Sequence, residues 1–160
     1  MSRAFIGIGS NEGDRLQAIS RAVQFLGATS GMRVTQLATI QETAPVGGPP
    51  QGPYLNTIVE LQTELPPHEL LAALQRIEWL LGRRPSEQRW GPRPMDLDVL
   101  LYDDRVSQDP ELTLPHPRLH ERRFVLEPLA QLAPDLIHPV LREPIRVLLT
   151  RLAHQDPSRL

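Results

Sequence analysis

Asp96 and Asp98 stand two residues apart in the hydrophobic run DLDVLLY, a spacing that in a strand sends both carboxylates out of one face, about 7 Å apart along the chain. Like charges so placed repel, and they persist comfortably when both are solvated or share cations. Magnesium suits such a pair, because it takes oxygen ligands, keeps several waters and binds through one or two carboxylates plus substrate phosphates. Immediately upstream, GRRPSEQRWGPRP gathers Arg83, Arg84, Arg89 and Arg93 around Trp90. Guanidinium groups grip phosphate oxygens in planar, bidentate pairs, so the segment alternates the two charges that a metal-polyphosphate site requires. A plainer alternative stands beside it. The aspartates and Glu87 could simply pair with nearby arginines on an exposed strand end, an arrangement that contributes little stability.

Composition narrows the chemistry. All seventeen basic residues are arginine, and without lysine neither a Walker A loop nor the third-strand lysine of a protein kinase can be built. Any cationic phosphate clamp here must be arginine. The chain has no cysteine, which excludes disulfides, thiolate metal sites and CxxC redox chemistry. A net charge of -2 disfavours a nucleic-acid binder that relies on a basic face. The opening MSRAFIGIGSNEGD has too short an apolar run for a signal peptide, and no stretch reaches membrane-spanning length. The 160 residues suit one domain, 1–160, able to bury its own core. The expectation is a cytoplasmic, unprocessed monomer with no nucleic-acid or membrane partner. The seventeen prolines interrupt periodic segments and read as rigid loops, not disorder.

These side chains need elements to hold them. Arg3 to Gly9 alternates as a strand, followed by a turn at Gly9, Ser10, Asn11 and Gly13. Leu16, Ile19, Val23 and Leu26 recur at helical spacing and predict one buried stripe from Asp14 to Ala28. Met32 to Gln41 reads as a second strand, although Leu37 breaks its alternation. TAPVGGPPQGP, Thr43 to Pro53, reads as an exposed loop. In the third strand Leu55, Thr57, Val59 and Leu61 share one face, and Tyr54, Asn56, Ile58 and Glu60 the other. Pro66 and Pro67 open a helix with Leu70, Leu74, Ile77 and Leu81 as its stripe and Gly82 as its cap. DLDVLLY is the fourth strand. The order βαββαβ predicts an α+β fold, a ferredoxin-like antiparallel sheet with helices packed on one side. A proline-rich loop and a C-terminal helical extension, Arg123 to Leu132 and Pro144 to Leu152, follow.

Two patterns are set aside. Gly7-x-Gly9 with Gly13 misses the dinucleotide fingerprint, because the third glycine comes one place late and Glu12 stands in its position. His116 and His120 have a spacing used for zinc, but the flanking Pro115 and Pro117 argue against a helix there. His68, His138 and His154 read as surface or packing residues.

RWGPRPMDLDVLLY, with GSN at 9–11, YLN at 54–56, QRIE at 75–78 and LPH at 114–116, resembles the signatures of the 6-hydroxymethyl-7,8-dihydropterin pyrophosphokinase family, in the right order over nearly the whole chain. The resemblance implies transfer of the β,γ-diphosphate of ATP to the pterin hydroxymethyl oxygen, leaving AMP, in folate biosynthesis. It implies two Mg2+ ions on Asp96 and Asp98, and Arg83 and Arg93 on the transferring diphosphate and leaving AMP. Gln75, Glu78, Trp90, Arg93, His116 and Arg122 would hold ATP, and Thr43, Pro45, Val46, Tyr54, Asn56 and Phe124 the pterin. For Phe124 alone, a core role is the bland reading.

The chain also departs from the family pattern. Pro85 stands where a second arginine is frequent, with Arg84 one place earlier; Glu111 replaces a frequent basic residue and Pro117 a frequent aromatic. Arg84 is expected to compensate for Pro85. Residues 43–53 and 82–94 are expected to close as lids over the two substrates. Sensors and RNA-binding modules share ferredoxin-like folds. RNA binding calls for sheet aromatics and a basic surface that this chain lacks, and a sensor has no need of arginines beside a carboxylate pair.

Overall fold

The computed structural model describes residues 1–44, 52–82 and 94–155. The main elements are β1 (Ser2–Ser10), α1 (Arg15–Ala28), β2 (Met32–Leu37), β3 (Gln41–Thr43), β4 (Tyr54–Thr63), α2 (Pro67–Leu80) and β5 (Asp96–Tyr102). A hairpin, β6 (Ser107–Asp109) and β7 (Leu112–Leu114), leads to a 3-10 turn (Leu119–Glu121), α3 (Arg123–Leu132) and α4 (Ile145–Gln155). The sheet order is β2-β4-β1-β5, antiparallel throughout, with β3 pairing to β4 beside β2. Two crossovers interleaved in this way match the split βαβ pattern read from the sequence.

Successive strand residues face opposite sides, and each side has its own core. On the first side Ala4, Ile6, Ile8, Val59, Leu61, Leu97 and Val99 meet Ile19, Ala22 and Leu26 of α1 and Leu70, Leu74 and Ile77 of α2. On the second side Phe5, Ile58, Leu100 and Leu101 meet Leu126 and Leu129 of α3 and Ile145, Leu148 and Leu152 of α4. The C-terminal helices thus cover the face that the two crossover helices leave bare. A register shift in β5 opposite Phe5 and Ile6 lets Leu100 and Leu101 both join the second core while Tyr102 returns to the first.

Local chemistry sets the ends of the helices. Asp14 caps α1 by accepting the Gln17 N–H at 3.1 Å, satisfying a free first-turn donor. Pro67 occupies the first turn of α2, where its missing N–H costs nothing. At the other end Gly82, at φ +106, gives its N–H to the Trp79 carbonyl at 3.1 Å, as the sequence anticipates.

Three expectations change. Leu16 is 56% exposed, not part of the buried stripe. The first turn of α1 is held by polar contacts instead, with Arg15 donating to the Pro53 carbonyl at 2.8 Å and to Glu42 at 3.1 Å, and Ala22 completes the stripe. The single strand expected over 32–41 is two. Ala38 still donates to the Ile58 carbonyl, but its own carbonyl takes the Thr57 hydroxyl, and the chain kinks before pairing again as β3. The loop after β5 contains the β6-β7 hairpin, whose three-residue strands are too short to show a period.

Burial orders the expected mutational costs. Leu26→Ala should destabilise by about 2–5 kcal/mol and Leu16→Ala by no more than about 0.5 kcal/mol, measured by denaturant unfolding. Equal losses would contradict this packing.

Candidate active site

Strand register assembles the floor of the site. Gly9 of β1 stands between Asn56 of β4 and Asp96 of β5, and Gly7 between Ile58 and Asp98. Beyond β4, Gln41 is beside Asn56 and Thr43 beside Tyr54. Residues paired in register share a face, so Thr43, Tyr54, Asn56, Asp96 and Asp98 all lie on the side of α3 and α4. Asp98 is exposed there, and Asp96, Asn56 and Tyr54 are half-buried.

Gly9 in β1 is a steric requirement. A Cβ on Gly9 would come within 2.9 Å of Asn56 Oδ1 and 3.4 Å of the Tyr54 ring. The Asn56 amide therefore rests over bare backbone, and its Nδ2 donates to the Thr43 hydroxyl. A glycine inside a strand often marks such a close approach.

The start of α3 forms the opposing wall. The Arg122 guanidinium lies 5.5 Å from the centre of the Phe124 ring, within cation-π range. Gln41 Nε2 donates to Glu127 at 2.9 Å, the Thr39 N–H to Gln131 Oε1 at 2.8 Å, and Gln131 Nε2 back to the Thr39 hydroxyl at 2.8 Å. These contacts tie α3 to the β2-β3 connection. Between them opens a cleft of about 940 Å³ lined by Gln41, Thr43, Arg118, Arg122, Phe124 and Glu127, among others.

His116 enters from the other end. It follows the cis Leu114–Pro115 bond, its N–H donates to the Leu100 carbonyl of β5 at 2.9 Å, and its Nδ1 accepts the Arg118 N–H at 3.2 Å. Burial holds His116 below the ordinary histidine value, the Arg122 and Arg118 cations reinforce this, and Asp96 opposes it. Burial and then Arg118 also lower Arg122, while Asp98, Glu121 and Asp96 raise it. A guanidinium starts so high that it stays a cation. Asp96, Asp98, His116 and Arg122 therefore share one electrostatic field, with His116 neutral at pH 7 and its Nε2–H free to donate.

The structure separates some of the residues expected at the site. Gln75 and Glu78 belong to α2, which packs on the first face of the sheet, behind the aspartates. Gln75 is exposed, while Glu78 is 8% exposed and accepts the Leu97 N–H at 2.8 Å. Pro45, Val46, Arg83, Arg84, Trp90 and Arg93, with most of the two expected lids, fall outside the described residues.

Other residues escaped the sequence reading. The sequence places Gly9 in a turn and in the GSN run, and gives Gly7 no part in a site, although two glycines inside a strand are the available signal for a close approach. Arg118 could have been suspected from its place beside His116. Gln41 and Glu127 are 86 residues apart and carry no local signal. Among the described residues no three His, Cys, Asp or Glu gather as a metal cage. Two carboxylates on one face leave coordination positions open for phosphate oxygens and water, which fits the way magnesium is usually bound.

Residues 5–134 match the sequence profile of the 7,8-dihydro-6-hydroxymethylpterin-pyrophosphokinase family. A 2-amino-4-hydroxy-6-hydroxymethyldihydropteridine pyrophosphokinase of Methylorubrum extorquens is 45% identical over 99% of this chain and 96% of its own. The enzyme of the same name from Bacillus subtilis is 46% identical over 81% of this chain and 77% of its own. Among solved structures, Plasmodium falciparum HPPK-DHPS with pteroate superposes at a TM-score of 0.78 over 99% of this chain, at 14% identity. That match covers 44% of the Plasmodium chain, and it bears on fold alone.

The shared field predicts how His116 titrates. Followed by NMR, His116 should titrate below free histidine, and Arg122→Ala should move it upward by removing a cation. A wild-type value at or above that of free histidine would contradict the geometry. His116 and His138 are both lowered in the fold, so near the ordinary histidine value the native state binds fewer protons than the unfolded chain. Stability should then rise with pH through that window and be lost as pH falls through the folded values.

Proposed function

This chain belongs to the 7,8-dihydro-6-hydroxymethylpterin-pyrophosphokinase family, and we propose that it works by holding magnesium-bound ATP on Asp96 and Asp98. It is a pyrophosphokinase that transfers pyrophosphate from ATP to hydroxymethyldihydropterin in folate synthesis. The observation that carries the assignment of residues is the register that sets Asp96 and Asp98 on one face with Asn56, across the glycines of β1.

Two magnesium ions, when bound, would neutralise the transferring group and lower the pKa of the acceptor hydroxyl. The bond formed joins that oxygen to the β-phosphorus, the hydroxyl proton passes to water, and the bond broken leaves the bridging oxygen on AMP. Little covalent chemistry is asked of the protein, so its contribution is positioning and charge. Asn56 offers a donor and an acceptor to the guanine-like edge of the pterin, exchanging its bond to Thr43 for bonds to the ligand. Tyr54 and Phe124 supply ring faces, and Pro45 and Val46 would bind the pterin with them. Arg122 offers a cation, and neutral His116 an Nε2–H, to the nucleotide side. Arg83 and Arg93 would act on the transferring diphosphate and leaving AMP, with Arg84 taking up the part denied to Pro85. Trp90 and Gln75 would serve the nucleotide, and residues 43–53 and 82–94 would close over both substrates.

No helix among the described residues is long and apolar enough to cross a membrane. We place the enzyme in the cytoplasm, as a monomer and one domain acting on two small molecules.

Incubation with ATP, magnesium and hydroxymethyldihydropterin should release AMP; ADP would indicate ordinary γ-phosphoryl transfer. Asp96→Asn and Asp98→Asn should each lower turnover at least ~10²-fold by removing preorganised charge stabilisation. Near-normal turnover in both variants would contradict the assignment.

A further inference from the structure

β5 is the edge of the sheet, and both aspartates sit on it. An edge strand is paired on one side only, and its outward N–H groups ordinarily face water. Leu97, between the two aspartates, does otherwise. Its N–H donates to Glu78 Oε2 at 2.8 Å, in a buried contact from α2 across 19 residues of sequence. Glu78 directly follows Ile77 of the buried stripe of α2 and is itself 8% exposed. A carboxylate in that position is costly unless it is hydrogen-bonded.

We propose that Glu78 is a positioning residue that holds β5 through the Leu97 N–H and so fixes the directions of Asp96 and Asp98. The peptide unit carrying that N–H joins Asp96 to Leu97. Fixing its plane constrains ψ of Asp96 and φ of Leu97, the two soft dihedrals between the carboxylate-bearing residues on that side. The pairing of Gly9 with Asp96 and of Gly7 with Asp98 holds the inner side of β5, and Glu78 holds the outer. Glu78 thus reaches the nucleotide from behind the sheet, by orienting the side chains proposed to carry the metal. Partners that orient metal ligands in this way matter nearly as much as the ligands themselves.

The inference rests on the reading of Asp96 and Asp98 as metal-binding carboxylates, and the test separates the two. The full chain carrying Glu78→Ala, Glu78→Gln or Asp96→Asn is assayed for AMP formation, with the magnesium concentration at half-saturation and the pterin KM measured for each. Glu78→Ala should raise the magnesium requirement at least ~10-fold, the range for loss of an outer-shell partner, with pterin KM unchanged. Glu78→Gln should stay close to wild type, because its amide oxygen still accepts the N–H. A parallel rise in pterin KM would mean general loss of packing and overturn the proposal, as would Glu78→Gln failing as badly as Glu78→Ala. An unchanged magnesium requirement in Glu78→Ala beside a disabled Asp96→Asn would remove only the positioning role, whereas a wild-type Asp96→Asn would remove the metal reading. Should Glu78→Ala not fold, amide exchange in the wild type decides. The Leu97 amide should be protected, and exchange at the rate of an open edge amide would overturn the proposal.

Discussion

Two negative charges fixed two residues apart on one face of an edge strand set the terms for this molecule. At about 7 Å, with Asp98 open to water, their repulsion is below about 1 kcal/mol, and it grows wherever water is withdrawn. The surroundings are arranged to bear it. Asp98 stays exposed, and the Arg122 cation acts on both carboxylates. A divalent cation would turn the repulsion into shared coordination, which is why oxygen-rich pairs of this kind suit magnesium and phosphate.

The two faces of the sheet divide the work. The first is given wholly to packing, with α1 and α2 closing over alternate residues of β1, β4 and β5. The second is a core at one end, under α3 and α4, and an open site at the other. The same residues that bury apolar surface also aim polar groups. Leu119 is fully buried in the second core and anchors the turn flanked by Arg118 and Arg122. The Gln41–Glu127 and Thr39–Gln131 contacts fix α3 against β3, which sets how far Phe124 stands from Thr43 and Asn56. Packing and ligand recognition are therefore coupled through α3.

Much of this was legible beforehand because strands alternate strictly. The face shared by Tyr54, Asn56, Ile58 and Glu60 could be read from one ten-residue run, and register did the rest once β1 was placed centrally. Caps were equally local, as Asp14, Pro67 and Gly82 show. What escaped was whatever depends on neighbours remote in sequence. The exposure of Leu16 follows from Arg15 reaching Glu42 and Pro53, the break before β3 follows from Thr57 taking the Ala38 carbonyl, and the task of Glu78 follows from an N–H nineteen residues away. The glycines of β1 were visible as residues, but their use became clear only when Asn56 was found lying over one of them. The cation of Arg122 could be named from the chain, whereas the lowering of His116 beside it required the fold.

Calorimetric titration of the full chain with a non-hydrolysable ATP analogue, with and without magnesium, bears on the carboxylate pair without any turnover. Binding should depend on the metal in the wild type, and the dependence should disappear in Asp96→Asn. Equal affinity with and without magnesium, in folded protein, would contradict the role given to Asp96 and Asp98.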